Sequence, residues 1–221
     1  MERKLILTKD GSHSIHIPEL GVNYHSIYGA VQESLHVFID AGLKPLLIAG
    51  EELRVFEMGF GTGLNALLTL LHAEKEKKKI YYHAVEAFPL DKKFIEEINY
   101  CRLLDRPDLQ DVFEKLHSSA WEEDKAITSY FVLHKINIDF NYYSADGQFH
   151  IIYYDAFDPN AQPALWTKPI FQKLFMMLIP GGSLLTYCSK GSVRRMMQEA
   201  GFVVEKLPGP AHKREIIKAK K

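Results

Sequence analysis

Glu57, Gly59, Gly61 and Gly63 fall at every second position of VFEMGFGTGLNALLTLL, residues 55–71. Glycines so spaced form a turn with no side chains, which lets a ligand approach the backbone closely. The turn alone suits a phosphate, a dinucleotide or another nucleotide-like ligand. GTGLNA satisfies the loose G-x-G-x-x-A dinucleotide pattern, a weak signal by itself. No G-x-x-x-x-G-K-[ST] run is present, which argues against a phosphate-binding P-loop. Glu57 tips the balance. A carboxylate two residues before the first glycine sits at a strand end facing the pocket. It repels a pyrophosphate and attracts an ammonium or a sulfonium.

Three further acids stand at the ends of strand-like runs: Glu86 after IYYHAV, Asp139 after YFVLHKINI and Asp155 after FHIIYY. S-adenosylmethionine carries an adenosine, an amino acid and a sulfonium, and these acids suit it. Glu86 is placed to accept from both ribose hydroxyls. Asp139 is placed to accept from the adenine amino group, or to cap the turn that follows it. Asp155 has two readings of equal weight. It binds the cofactor's ammonium, with Glu57 sharing that role, or it serves a substrate amine. A primary ammonium has no lone pair, so a base must take a proton, or hold the neutral amine, before the nitrogen can attack. In the loop DAFDPNAQPALW, Phe157 is assigned to the ligand and Trp166 to packing, with Pro159 and Pro163 stiffening the segment.

These residues need strands and helices to hold them. KLILTKDGSHSIHIP alternates on both sides of Asp10-Gly11 and predicts a hairpin. Val31, Leu35, Phe38 and Ile39 predict a helix, stopped at Gly42. RVFEMGF is a strand entering the glycine turn. Leu64, Leu67, Leu68 and Leu71 predict the helix leaving it. PLDKKFIEEINY reads as one helix with Pro89 near its start, and residues 101–129 as short helices and loop. PIFQKLFMMLI is a helix closed by PGG. SLLTYC is a strand, GSVRRMMQEAG a helix, and FVVEKL and REIIKA an antiparallel pair around PGPAHK. The expected architecture is α/β and Rossmann-like. It has a seven-stranded, mostly parallel sheet, helices on both faces and an antiparallel C-terminal strand. Residues 1–221 read as a single domain, with a hairpin and helix (1–45) appended to a core at 52–221.

Composition narrows the function classes. Two cysteines give no disulfide framework or cysteine-rich zinc site, and a net charge of −1 argues against a generally basic nucleic-acid binder. Yet Lys190 to Lys221 holds nine Lys and Arg against three Glu, a local +6 that suits a polyanion-facing end. No apolar run approaches membrane-spanning length and the start lacks a signal-peptide pattern, so a cytoplasmic location is expected. His13 and His16 fall on opposite sides of a strand and predict no metal site. Cys188 reads as a buried apolar residue. Tyr24, His25 and Tyr28 read as surface packing rather than as a closure over the cofactor.

Strand, E-x-G-x-G-x-G, helix, then a strand ending in an acid resembles the class I methyltransferase superfamily. The C-terminal stretch resembles the methyltransferase half of the bacterial tRNA wobble-uridine family MnmC, through Pro180, Gly181, Gly182, Thr186, Ser189, Gly191, Val193, Arg194, Arg195, Glu199, Ala200, Gly201, Phe202, Lys213, Arg214 and Glu215. DAFDPNAQPALW is similar to that family's loop at Asp155, Phe157, Pro159, Pro163 and Trp166, and departs from it at Ala156, Asp158 and Gln162. Gly29, Glu33, Val37 and Phe38 match its N-terminal segment. The resemblance runs from about residue 20 to 218 and is weakest over 100–130.

It implies an S-adenosylmethionine-dependent methyltransferase acting on the amine of 5-aminomethyl-(2-thio)uridine in the tRNA anticodon loop. Arg194, Arg195, Lys213 and Arg214, with Lys190, would contact RNA phosphates. The family is often fused to a flavin-dependent oxidoreductase. This chain is expected to be the methyltransferase alone, with a separate enzyme supplying the amine. Four alternatives compete. They are a small-molecule methyltransferase, an aminopropyltransferase (whose D-x-x-D-P loop Asp155, Asp158 and Pro159 satisfy), a non-catalytic tRNA-binding module, and, last because of Glu57, an NAD-dependent oxidoreductase.

Overall fold

The expected hairpin forms around Asp10-Gly11. Strands β1 (Lys4–Leu7) and β2 (His13–Ile17) pair antiparallel, with Lys4 opposite His16 and Leu7 opposite His13. A third strand, β3 (Val22–Asn23), pairs with β2 and completes a small separate sheet. Two residues are too few for a readable periodicity. The helix α1 (Ala30–Ser34) runs on as a π-helix over Leu35–Leu43 and a 3₁₀ turn over Lys44–Leu46. Gly42 therefore does not stop the helix. It lies buried inside it, where a Cβ would stand 2.8 Å from Ile151 Cδ1 and 3.2 Å from Leu185 Cγ. The missing side chain lets the helix lie against the main sheet. Gly42→Val should destabilise the fold by about 1–3 kcal/mol through overpacking, read as a lower urea midpoint with an unchanged slope.

The computed structural model describes residues 1–47, 52–210 and 212–221; of the PGPAHK link, Ala211 lies outside these. Along the chain follow β4 (Glu52–Met58), α2 (Leu64–Glu76), β5 (Lys79–Val85), α3 (Lys92–Glu97), α4 (Tyr100–Leu103) and α5 (Gln110–Ser118). Then come β6 (Asp124–Ala126), β7 (Phe131–Ile136), β8 (Phe149–Tyr154), α6 (Lys168–Met177), β9 (Leu178–Thr186), α7 (Gly191–Glu199), β10 (Val203–Pro208) and β11 (Glu215–Lys220). The main sheet has the order β10-β11-β9-β8-β4-β5-β7-β6. Its centre, β7-β5-β4-β8-β9, is parallel, while β6, β10 and β11 run antiparallel to their neighbours.

Three details correct the sequence reading. The described sheet has eight strands rather than seven, because the three-residue β6 pairs on the edge beside β7. PLDKKFIEEINY is not one helix: α3 ends at Glu97, Ile98 is extended, and Tyr100 opens α4. PGG does not close α6. It lies within β9, where the pairing passes from Phe149–Leu178 to Ile151–Ser183 through a register shift. Gly181, at φ +79, takes the kink that such an irregularity needs.

Alternation along β4 sends Leu53 and Val55 to one core, with Leu64, Leu67 and Leu68 of α2, and Phe56 and Met58 to the other, with Phe171 and Leu174 of α6. Each such buried side chain contributes about 1.5–3 kcal/mol. The same alternation turns Glu57 towards α2. From β4 the chain builds outward through β5 and β7, then returns to place β8 on the other side. The strand order thus reverses between β4 and β8, and their carboxyl ends open a crevice there. No helix among the described residues is long and apolar enough to cross a membrane.

Candidate active site

The glycine turn leaves β4 at that crevice. Gly59, Gly61 and Gly63 have φ of +87, +50 and +72, all in the left-handed region that disfavours side chains. A Cβ would lie 3.3 Å from the Asp155 carbonyl oxygen at Gly59, 3.3 Å from the Tyr24 ring at Gly61, and 2.8 Å from His117 Nε2 at Gly63. The turn is thus crowded from behind as well as bare in front.

Thr62 fastens it. Its hydroxyl meets His25 Nε2 at 2.8 Å and accepts from the Tyr100 hydroxyl at 3.0 Å. The His117 ring meets its carbonyl at 3.1 Å. Burial lowers the His25 pKa to about 4, so the ring is neutral at pH 7. Thr62→Val would strand two buried polar groups and should destabilise the fold by about 2–4 kcal/mol, measured as a shift in urea midpoint.

A cavity of about 380 Å³ opens in front of the turn. Glu57 and Asp155 both line it. Asn65, in the first turn of α2, joins them: its Nδ2 donates to Glu57 Oε1 and to Asp155 Oδ2, each at 2.9 Å. Glu57 is 1% exposed; its Oε2, like Asn65 Oδ1, makes no hydrogen bond of normal length, although the Tyr82 hydroxyl stands near enough to favour the ionised carboxylate. Burial, more than any other effect, holds the Glu57 carboxyl well above its ordinary range. Burial pushes Asp155 up to about 7, helped by the charge of Glu33 and opposed by the Asn65 hydrogen bond and by Lys213. A buried and a half-buried carboxyl sharing one amide suit a cationic group. Sequence reasoning overlooked Asn65. The available signal was Asn65 and Thr69, polar residues four apart in a helix otherwise apolar on that side; both are buried, and the Thr69 hydroxyl donates to the Asn65 carbonyl at 2.7 Å.

Across the sheet edge, Asp155, Glu57, Glu86 and Asp139 stand at or just beyond the carboxyl ends of β8, β4, β5 and β7 in spatial order, and all line the cavity. Glu86 accepts from the backbone N–H of Gly61 at 2.9 Å and of Phe88 at 2.8 Å. It therefore ties the second strand to the glycine turn. Asp139 caps the turn after it, its Oδ1 accepting from the Asn141 backbone at 2.8 Å. Phe157 lines the cavity edge-on to Tyr24, with ring centroids 5.2 Å apart. Trp166 is buried among Tyr154, Phe171 and Tyr187, and donates to the Phe157 carbonyl at 2.7 Å.

Tyr24 and His25, read from sequence as surface packing, are cavity walls. They were underrated because an appended segment has no periodicity that announces where it docks. Tyr28 does stand apart, stacked on His212. Arg194, Arg195, Lys213 and Arg214 do not line the large cavity. Arg195 and Arg214 are exposed, Arg194 is half-buried, and Lys213 pairs with Glu33 at 2.7 Å. His13 and His16 bond to the Glu97 carbonyl and to Asn23. Cys188 is buried.

Comparisons with known proteins bear on the fold and the family. The chain is 28% identical over 220 residues to the tRNA 5-methylaminomethyl-2-thiouridine biosynthesis bifunctional protein MnmC of Pseudomonas fluorescens, which covers 88% of this chain and 31% of that protein. It is 28% identical over 230 residues to the same-named protein of Cupriavidus metallidurans, covering 97% and 33%. The chain thus spans about a third of the length of these relatives. Its fold matches MnmC2 from Aquifex aeolicus with a TM-score of 0.81 at 21% identity, over 99% of this chain and 69% of that one. It matches spermidine synthase from Thermotoga maritima with a TM-score of 0.60 at 14% identity, over the same shares. A family model described as S-adenosyl-L-methionine-dependent methyltransferase matches residues 111–221, half of the chain. The chain belongs to this family of S-adenosyl-L-methionine-dependent methyltransferases.

Proposed function

We infer that this methyltransferase acts on the amine of a 5-aminomethyl-(2-thio)uridine at the wobble position of tRNA. The observation that carries the reading is the buried Glu57 carboxyl and the half-buried Asp155 carboxyl, joined by the Asn65 amide beside the glycine turn. An amine methyltransferase must hold one cationic ligand and handle the proton of a second amine. Two carboxyls of raised proton affinity suit those tasks. The names of the relatives supply the nucleoside.

The cavity fits S-adenosylmethionine on its own chemistry. Glu57 Oε2 is buried without a hydrogen bond of normal length, where a cationic ammonium would complete it. The bare faces of Gly59 and Gly61 leave room for close approach. Glu86 and Asp139 keep acceptor capacity towards the cavity for hydroxyl and amino groups. When bound, the cofactor supplies a methyl group already activated by the sulfonium. The chain's own residues do the rest. Glu57 and Asn65 orient the cationic end, and Tyr24 and Phe157 exclude water from the wall. Asp155, its pKa near 7, takes the proton that the substrate ammonium must lose. Alignment of the nitrogen with the activated methyl is then the main source of rate. A separate activity would have to supply the aminomethyl group.

The aminopropyltransferase alternative needs Asp155 and Asp158 together. Asp158 instead pairs with Lys190 at 2.8 Å and caps the Asn160 backbone at 2.9 Å, outside the residues lining the cavity. The deciding experiment incubates the chain with methyl-labelled S-adenosylmethionine and tRNA carrying 5-aminomethyluridine at the wobble position, then analyses the nucleosides by mass spectrometry. Label on the wobble side chain supports the reading. Cofactor binding without transfer would refute it.

A further inference from the structure

Glu57 stands between two buried tyrosines, one on each flanking strand. It pairs in register with Tyr153 of β8 and with Ala84 of β5, and Tyr82 lies two residues before Ala84. Strand alternation therefore turns Glu57, Tyr82 and Tyr153 to the same face, towards α2. Both tyrosines are 0% exposed, and their rings meet edge-on with centroids 6.2 Å apart. Their hydroxyls differ. The Thr69 hydroxyl gives its hydrogen to the Asn65 carbonyl at 2.7 Å, so the Tyr153 hydroxyl, 3.4 Å from it, is the donor between them. The Tyr82 hydroxyl makes no hydrogen bond of normal length, and neither does Glu57 Oε2 near it.

A buried hydroxyl left unpaired costs stability that a phenylalanine would not. Packing alone therefore does not account for an oxygen at this position. What the oxygen offers is hydrogen bonding in both directions. A protonated carboxyl needs an acceptor for its O–H, and an ionised one needs donors. A phenol serves as either, whereas the Asn65 amide nitrogen only donates. Burial and the charges of Asp155 and Glu86 hold the Glu57 carboxyl up, while the Asn65 amide and the Tyr82 hydroxyl pull it down. Burial also holds the Tyr82 hydroxyl well above its ordinary range, so it keeps its proton while Glu57 changes charge. A hydrogen bond to an ionised carboxylate is stronger than one to the neutral acid, so this contact gains most when a cation is present.

We propose that Tyr82 is a positioning residue for cofactor binding, whose hydroxyl closes on Glu57 as that carboxyl ionises and so readies it for the cofactor's ammonium. This rests on the reading above that Glu57 meets the cofactor's cationic end. Tyr82 does not line the cavity, so it reaches the ligand only through Glu57.

The test measures calorimetric binding of S-adenosylmethionine to the full chain from pH 6 to pH 9, with urea midpoints to show that each variant is folded. Tyr82→Phe keeps the ring and removes the oxygen. It should bind about 5–15-fold more weakly at pH 7. The tightening with pH should move up by about one unit, so that the deficit shrinks as the pH rises. Tyr153→Phe, whose lost hydroxyl served Thr69, should leave the pH profile in place. In a Glu57→Gln background, Tyr82→Phe should add less than about twofold. A profile unmoved by Tyr82→Phe, one moved equally by Tyr153→Phe, or a loss that persists in full in the Glu57→Gln background would overturn the positioning role and leave that of Glu57 standing. Unchanged affinity in Glu57→Gln itself would instead remove the reading beneath it.

Discussion

Asp155→Asn should melt about 6–12 °C above the wild-type chain at pH 8 while transferring methyl groups about 10²–10⁴ times more slowly. The gain in stability follows from the sign of the pKa shift. In the unfolded chain this carboxyl ionises near 4; in the folded chain it holds its proton up to about 7. Its favourable contribution is complete below pH 4, falls as the pH rises towards 7, and is gone above it. The gap between about 4 and about 7 corresponds to about 4 kcal/mol, which the solvent reaching this half-buried group trims to a cost of roughly 3 kcal/mol at pH 8. An asparagine removes that charge and still accepts from Asn65. The loss in rate follows from the same change, because an amide takes no proton from an ammonium. Thermal melts at pH 5 and pH 8, beside a transfer assay, check both halves. At pH 5, about one unit above the unfolded pKa, roughly a third of the effect is already present, so the gap should narrow to about 2–4 °C. Equal melting points at pH 8 would mean that Asp155 is not strained by burial, and would remove the ground for calling it the base.

The reach of sequence reasoning here follows from the physics of each signal. The glycine turn was legible because backbone in the left-handed region selects Gly59, Gly61 and Gly63 one by one. Glu57, Glu86, Asp139 and Asp155 were legible because a parallel strand ends where its apolar run ends, and acids at that edge stand out. Asn65 was not. A polar side chain in the first turn of a helix ordinarily reads as solvated, and only the meeting of β4 with β8 puts two carboxyls beside it. Gly42 misled because glycine usually ends helices; here it is needed for contact with Ile151 and Leu185, which lie over a hundred residues away in sequence. The edge strand β6 has three residues, too few to alternate visibly. The Glu33–Lys213 pair belongs to the same class: each residue drew notice, and only the fold shows that they answer one another.

Glu57→Gln should weaken S-adenosylmethionine binding by about 10–100-fold and reduce the protons released when it binds. In the free protein Glu57 and Asp155 are both held above their ordinary range, chiefly by burial. A cationic ligand reverses that balance, since an adjacent positive charge favours the ionised carboxylates. Binding should therefore expel protons and tighten as the pH rises from 6 to 8. Calorimetry in two buffers of different ionisation heat measures the number released. In Glu57→Gln the amide presents no charge where Oε2 made no hydrogen bond of normal length, so the attraction and one titrating group disappear together. Asn65 keeps an acceptor at the Gln side-chain carbonyl, which limits the loss to the missing charge rather than to collapse of the site. Binding that is independent of pH and unchanged by the substitution would show that the cofactor's cationic end lies elsewhere. The two carboxyls would then have to be assigned to the substrate amine alone.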